Sequence, residues 1–292
     1  MRGRLRALLP RLHLFPALSE KLDQWAEWLI RTRFEGKTEH EVRELLGELA
    51  TFRDTVLANA RVRPGDVVAD VGAGTGLLTV AAAERVAPDG EVFALDVSVD
   101  ALEELRRETK AANIFYMIGS ADVLPLPDAF VDVVVTRSVL IYVDDKAAAA
   151  AEFFRVLRSG GRVSVFEPIN RRNTRLSEIV DFGDLHEQVT EWEQAIYEDA
   201  TDPMLNFDEG DLERFFVDAG FTGVSLDLRP GEGEMTAEHQ LRSVGAPGRR
   251  SLLESWERSF TADVVERLTA AVREAGAIRR GWPQLYLHAA KP

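Results

Sequence analysis

The chain contains no cysteine in its 292 residues. That removes disulfides, thiolate metal ligands and cysteine nucleophiles, and leaves the redox compartment open. Histidine is scarce as well: an imidazole base has to be found among His13, His40, His186, His239 and His288. Positive charge is in deficit, with 35 Lys and Arg against 49 Asp and Glu and a formal net charge of -14. Binding nucleic acid by neutralising phosphates needs a basic face, so that class is disfavoured, although a local basic patch stays open. Also missing are any internal repeat, any low-complexity tract and any apolar run approaching the ~18 residues of a membrane-spanning helix. What is present is 46% hydrophobic residues, enough for the core of one large domain or two modest ones.

At the N-terminus, Arg2, Arg4, Arg6 and Arg11 alternate with leucines, but Pro10, Arg11 and His13 interrupt any signal-peptide core. The expectation is a cytoplasmic protein whose first residues make a frayed or docked terminal helix. A transit peptide or a membrane-touching basic helix is the alternative. Residues 1–62 read as an N-terminal helical cover, with Leu22, Trp25, Trp28, Leu29 and Ile30 at helical spacing and Gly36 separating them from a second helix through Val42, Leu45, Leu49, Phe52 and Val56.

Arg63-Pro64-Gly65-Asp66 is turn chemistry, and after it the pattern changes. Short apolar runs at Val67 to Val71, Val92 to Leu95, Ile114 to Ile118, Val131 to Val135 and Val163 to Phe166 read as buried strands. Between them lie the helical stretches Leu77 to Val86, Ala101 to Thr109 and Ala147 to Leu157, the last predicted to end on a glycine cap at Ser159-Gly160-Gly161. Such alternation predicts an α/β fold, a Rossmann-like doubly wound seven-stranded sheet with a largely helical lid. Its core spans 63–168 and continues at 208–229 with a helix and a strand, and 282–292 adds the final strand. Residues 169–207 and 230–281 are lid insertions.

The strongest local signal is Val67-Val68-Ala69-Asp70-Val71-Gly72-Ala73-Gly74-Thr75-Gly76-Leu77, a buried strand running through three alternate glycines into a helix. Glycines there let a ligand lie against the main chain, with N–H groups at the helix start offered to a carboxylate or phosphate. The dinucleotide fingerprint needs its third glycine where this chain has Leu77, which disfavours NAD. Asp70 would repel a pyrophosphate but attract an ammonium group. Asp96, twenty residues beyond Gly76, stands where a carboxylate after the second strand takes ribose hydroxyls.

These residues resemble the class I S-adenosylmethionine-dependent methyltransferases, in particular the small-molecule branch that includes the quinone C-methyltransferases. The glycine loop is similar to that family's first motif and Phe93-Ala94-Leu95-Asp96-Val97-Ser98 to its second. Gly119 to Asp128 followed by Val131-Asp132-Val133-Val134 resembles its "GDAxxLPF…FD" segment, and Ala151 to Gly161 its helix and "L(R/K)PGG" turn. The resemblance covers residues 60–170 well and 208–229 loosely. It implies S-adenosyl-L-methionine as cofactor, held by Asp70, Gly72, Ala73, Gly74, Gly76, Asp96, Val97, Ala121, Asp122, Val123 and Arg137. Where the family carries an acidic residue for the adenine amino group this chain has Ser120, and Asp122 is expected to take that role.

Such a cofactor is already an activated methyl donor, so the enzyme must align a nucleophile and exclude water, with a general base optional. Candidates for catalysis are Arg137, Ser138 and Tyr142 after the fourth strand, Glu167 after the fifth, and His186 as an imidazole base within the first insertion. The alternative for His186 is an ordinary surface histidine. Arg171 and Arg172 are placed to bind an acidic substrate group, or are a solvated loop pair. Trp25, Trp28, Phe34, Phe182, Trp192, Tyr197, Trp256 and Trp282 suit an apolar substrate pocket, or else pack the lid on itself. The Asn/Asp-Pro-Pro-Tyr-like motif of enzymes that methylate nucleobases or glutamine is absent at Thr136 to Leu140, no acidic cluster for magnesium follows that strand, and no metal is expected.

The expected partner is a small, apolar or aromatic molecule methylated on oxygen or carbon, with no nucleic acid and no membrane span; a homodimer stays open. Lack of cysteine counts against arsenite methylation. Two other classes remain: an aminopropyl transferase using decarboxylated cofactor, and a non-catalytic cofactor-binding regulator.

Overall fold

A computed structural model describes residues 22–292; the expectations for the first eighteen residues lie outside that range. Helix α1 (Gln24–Ile30) starts at an Asp23 cap, and after a short 3-10 turn the long helix α2 (Glu39–Asn59) starts at a Thr38/Glu41 capping box. The alternating region follows as β1 (Val67–Val71), α3 (Leu77–Val86), β2 (Glu91–Asp96), α4 (Val99–Glu108), β3 (Ile114–Ile118), β4 (Val131–Arg137), α5 (Lys146–Val156) and β5 (Leu157–Pro168). Helix α6 (His186–Tyr197) belongs to the first insertion. Next come α7 (Glu209–Asp218) and β6 (Thr222–Arg229), then β7 (Glu232–Thr236), α8 (Ala237–Arg242), α9 (Leu252–Ser259), α10 (Ala262–Ala275), β8 (Ala277–Gly281) and β9 (Gln284–Ala290).

Seven strands form one sheet in the order β3-β2-β1-β4-β5-β9-β6. Strands β1 to β5 run parallel, whereas β9 lies antiparallel between β5 and β6. The seven predicted strands are therefore the seven of the sheet. Side chains of β1 alternate between the two sheet faces: Val67, Ala69 and Val71 join one apolar cluster with Phe93, Phe153 and Phe216, while Val68 joins another with Leu78, Leu102 and Tyr286. Strand order reverses between β1 and β4, and the crevice beyond the carboxyl ends of those strands is where open sheets of this kind bind ligands.

Two local expectations differ from the structure. The helix before β5 stops at Val156 with Leu157 already extended, so Gly160 and Gly161 lie within β5 rather than capping the helix. There the pairing with β4 shifts register between Val131 and Val133, a bulge that absorbs the extra residues. The hairpin-like pair β7 and β8 was not expected: Glu232–Thr236 and Ala277–Gly281 close the ends of the second insertion as a two-stranded antiparallel sheet. Their polar sequences, EGEMT and AIRRG, lack the β-branched alternation that marks a strand. Segments 169–207 and 230–281 pack around a third cluster of their own, built on Leu176, Phe182, Val189, Leu241, Trp256 and Leu268. Among the described residues no helix is long and apolar enough to cross a membrane.

Candidate active site

A cavity of about 1040 Å³ opens over the carboxyl ends of β1, β2 and β4. It brings together Asp70, Gly72, Ala73, Gly74, Gly76, Asp96, Val97, Ala121, Asp122, Arg137, Ser138 and Tyr142, residues from four separate turns of the chain.

The turn after β1 has Gly72 at φ +72° and Gly76 at φ +96°, a backbone region that side chains rarely adopt. A Cβ on Gly72 would lie 2.0 Å from a Val139 methyl, and one on Gly76 would lie 2.2 Å from a Leu105 methyl. These two glycines are thus required by the turn and by packing of protein on protein, not by a ligand pressed against them. The loop's amides are also largely committed: Gly72 and Ala73 donate to the Leu95 carbonyl, Gly74 donates to the Asp96 carboxylate at 2.7 Å and Gly76 donates to the Ala73 carbonyl. The seat for a carboxylate expected from the whole loop narrows to the Thr75 amide and the start of α3.

Asp70 is buried, and one of its carboxylate oxygens accepts from the Thr79 hydroxyl. The other, Oδ1, has no partner. Burial, with the Asp96 charge adding to it, pushes the Asp70 carboxyl up to about 7 against the pull of the Thr79 bond. Asp96 is raised too, by burial first, while its bonds from Ser98 and Gly74 amides act in the opposite direction. Each Asp96 oxygen takes one of those amides and keeps a second lone pair.

Around β3 the Ser120 hydroxyl donates to the Asp122 carboxylate, so the residue that replaces the family's acid orients the next one along. Val123 does not line the cavity. Its side chain is 70% exposed and its amide donates to the Ser120 carbonyl, leaving Ala121 as the backbone contact on that turn.

After β4, Ser138 adopts φ +53° and is held by its amide donating to the Phe166 carbonyl. The following 3-10 turn, Leu140–Tyr142, is fixed by Glu167, whose fully buried carboxylate accepts the amides of Val139, Leu140 and Ile141 at 2.9, 2.8 and 3.2 Å. Burial raises Glu167 to about 7 and the three amides oppose it. It supports the turn and does not line the cavity. Tyr142 is pushed up to about 12, by burial and then by the Glu167 charge, and keeps its proton at neutral pH.

Besides Val123 and Glu167, three sequence candidates are not brought to the site. His186 opens α6 and lines a second, smaller cleft with Arg175, Ser177 and Glu193, because α6 packs into the insertions' own cluster instead of over the sheet. Arg171 and Arg172 are exposed outside the main cavity, with Arg172 paired to Glu209. Of the aromatic residues, Trp25, Trp28, Phe34 and Tyr142 line the cavity. Phe182 and Trp192 each meet Trp256 edge-on inside the insertions.

The N-terminal helices thus roof the site. A seven-residue helix is too short to persist by itself. Tertiary contacts hold α1: Asp23 accepts from the Ser98 hydroxyl and donates its amide to Asp100, Trp25 meets Tyr142 edge-on at 4.8 Å, and Leu29 sits over Gly74. Arg33 extends the roof, its guanidinium over the rings of Trp28 and Phe34. Arg33 was not singled out in the sequence, although it has no acidic residue three or four positions away to pair with.

The family "Methyltransferase domain" matches residues 69–165. A ubiquinone/menaquinone biosynthesis C-methyltransferase UbiE of Yersinia pestis is 32% identical over 174 residues, which cover 56% of this chain and 69% of that protein. The chain belongs to the class I S-adenosylmethionine-dependent methyltransferases. An uncharacterized 37.1 kDa protein of a Streptomyces fradiae transposon is 35% identical over 165 residues, 53% of this chain. The match spans 48% of the Streptomyces protein and 50% of a UbiE of Xanthomonas campestris, so about half the length of these relatives. In structure, a putative methyltransferase of Bacillus halodurans superposes with a TM-score of 0.52 at 15% identity, over 82% of this chain and 98% of that one.

S-adenosylmethionine is the family's cofactor, and the residues present fit it. An orphaned, buried carboxylate oxygen on Asp70 beside the glycine turn suits the ammonium of the methionyl end, and Asp96 at the end of β2 has lone pairs to spare for hydroxyls. Among the described residues no three His, Asp or Glu side chains are grouped so as to hold a metal ion.

Proposed function

We propose that the chain transfers a methyl group from S-adenosylmethionine to the oxygen or an electron-rich carbon of a small apolar or aromatic molecule. The observation that carries this reading is the unpartnered Oδ1 of Asp70 next to the glycine turn, with Asp96 closing the other side of the same crevice. In it Asp70 holds the ammonium, Asp96 the ribose, and Ala121 with Asp122 the adenine. When bound, the cofactor supplies a methyl group already activated by its sulfonium.

The protein's own part is orientation and the exclusion of water. Trp25, Trp28, Phe34 and Tyr142 supply an apolar wall, and the roof helix limits solvent entry. Among the described residues no histidine lines the cavity, and Tyr142 and Arg137 keep their protons at neutral pH, so the wall beside β4 offers donors rather than a base. That favours an acceptor that brings its own nucleophile, a phenolate or an activated ring carbon.

The test is calorimetry with S-adenosylmethionine, S-adenosylhomocysteine and the decarboxylated cofactor, followed by a methyl-transfer screen on phenols and quinols with and without a carboxylate or phosphate substituent. Micromolar binding of the first two is expected, with Asp96→Ala weakening it about 30-fold, or ~2 kcal/mol for a lost charged hydrogen-bonding partner. Failure of both to bind would reject the reading, preference for the decarboxylated form would move it to aminopropyl transfer, and binding without transfer to any acceptor would point to a regulator.

A further inference from the structure

Among the described residues three arginines line the cavity: Arg33, Arg53 and Arg137. Arg53 is neutralised by a two-pronged contact with Asp54, both bonds at 3.0 Å. Neither Arg33 nor Arg137 forms an ion pair or a side-chain hydrogen bond with any described residue, and the Arg137 Nε is buried without a partner. Each rests on aromatic faces instead, Arg33 on Trp28 and Phe34, Arg137 on Phe52 and Phe166 at 5.4 and 5.6 Å. A third donor joins them, because the Trp28 indole Nε1 is buried and also lacks a partner.

Ring faces satisfy only part of a guanidinium's need, for its five N–H donors lie in the plane and ask for acceptors at the edge. Removing such a cation from water without a counter-ion is costly. Here two stand close enough that the Arg33 charge, after burial, is the next cause that lowers the pKa of Arg137, to about 10. The buried Glu167 carboxylate beneath the turn offsets part of the Arg137 charge. No such charge acts on Arg33, whose pKa is lowered by burial alone: Asp70, Asp96 and Asp122 gather at the β1–β3 side, Glu84, Glu108 and Asp144 are exposed, and Glu104 pairs with Arg107. Arg33 is therefore the cation left unanswered.

We propose that the methyl acceptor carries an anionic group, a carboxylate or a phosphate, that Arg33 holds from the roof with Arg137 and the Trp28 N–H beside it. This deepens the proposed methyl-transfer function and rests on it for the word acceptor. The apolar wall takes the ring or chain of that molecule, and the paired cations take its charged end, so an uncharged phenol or quinol of the same shape is a poor ligand.

The probes are 1-naphthoate, 1-naphthyl phosphate and uncharged 1-naphthol, titrated by calorimetry into the protein with and without S-adenosylhomocysteine. At least one anionic probe is expected to bind ten-fold or more tightly than 1-naphthol, and the order of the two anions tells carboxylate from phosphate. Arg33→Gln should bring all three within threefold of one another, Arg33→Lys should keep part of the preference, and affinity for S-adenosylhomocysteine should stay within twofold in both variants. The proposal is overturned if 1-naphthol matches the anions, if neither anion binds, or if Arg33→Gln leaves the preference intact. Should S-adenosylhomocysteine fail to bind while the anion preference persists, the methyl-transfer reading falls and the anion site stands.

Discussion

The sheet domain and the insertions bury their aromatic residues to different ends. Around the sheet, Phe93, Phe153 and Phe216 fill space between strands and helices, and the crevice above is left to polar groups on tight turns. In the insertions, Trp256 is fully buried with Phe182 and Trp192 packed at 6.2 and 6.3 Å, which makes a second core remote from the cavity lining. Bulk of a cover is therefore a poor guide to what lines a site: only Asn170, Met204 and Gly245 from the insertions reach the cavity, whereas the short N-terminal segment contributes Trp25, Trp28, Leu29, Ile30 and Phe34. One region stabilises itself, and the other stabilises a ligand.

The largest effect that would break this contrast is on stability. Trp256→Ala should lower the unfolding free energy by about 3–5 kcal/mol, the range for removing a large buried aromatic side chain. Urea denaturation would measure that loss, and calorimetry on the folded variant should still give an affinity for S-adenosylhomocysteine within threefold of the parent. If affinity fell along with stability, the insertions and the cofactor crevice would be one cooperative unit rather than two.

A smaller effect sharpens the chemistry of the crevice. An ammonium group pairs with the ionised form of Asp70, whose carboxyl sits near 7 before anything binds. Below that pH the proton must leave first, so affinity for S-adenosylhomocysteine should rise as pH increases from 5.5 to 7.5 and level off above. The change expected is about 25-fold, since the ionised fraction of a carboxyl near 7 rises from roughly 3% to roughly 75% over that range. Asp70→Asn, measured by the same titration at each pH, should be flat over that range. A parent curve equally flat would show that Asp70 does not carry the ammonium.

How much of this was legible in the sequence follows the same division. The strands and helices of the sheet domain were readable because each is a local pattern: Val67 to Val71 is buried at every position, and Leu77 to Val86 follows directly from the glycine turn. Asp70 and Asp96 could be named because their distances along the chain from the glycine turn mark them, and Asp122 because the segment around it resembles the family's third motif. The use made of the glycines could not, since Val139 and Leu105, which occupy the space beside Gly72 and Gly76, lie on distant elements. The same holds for the roof. Trp25 and Trp28 gave a helix but not its destination, which depends on Asp23 meeting Ser98 and Trp25 meeting Tyr142 across the fold. Arg33 and Arg137 become informative only when seen together and unpaired.

The least effect concerns His186, the histidine that sequence reasoning favoured as a base. Its neighbours are Arg175, Ser177, Glu193 and Tyr197 in the small cleft, whose architecture comes from Glu193 accepting the Leu176 and Ser177 amides. Nothing in that arrangement uses the imidazole, and among the described residues the cavity lining contains none. His186→Ala is accordingly expected to change stability by less than about 0.5 kcal/mol, as for a surface substitution. Cofactor affinity should be unaltered, and any methyl-transfer rate found in the acceptor screen should move by less than about twofold, against the ~100-fold that removal of a general base brings. A loss approaching that size, with binding intact, would mean that the insertion swings α6 over the crevice during turnover, and would join the two regions that the structure keeps apart.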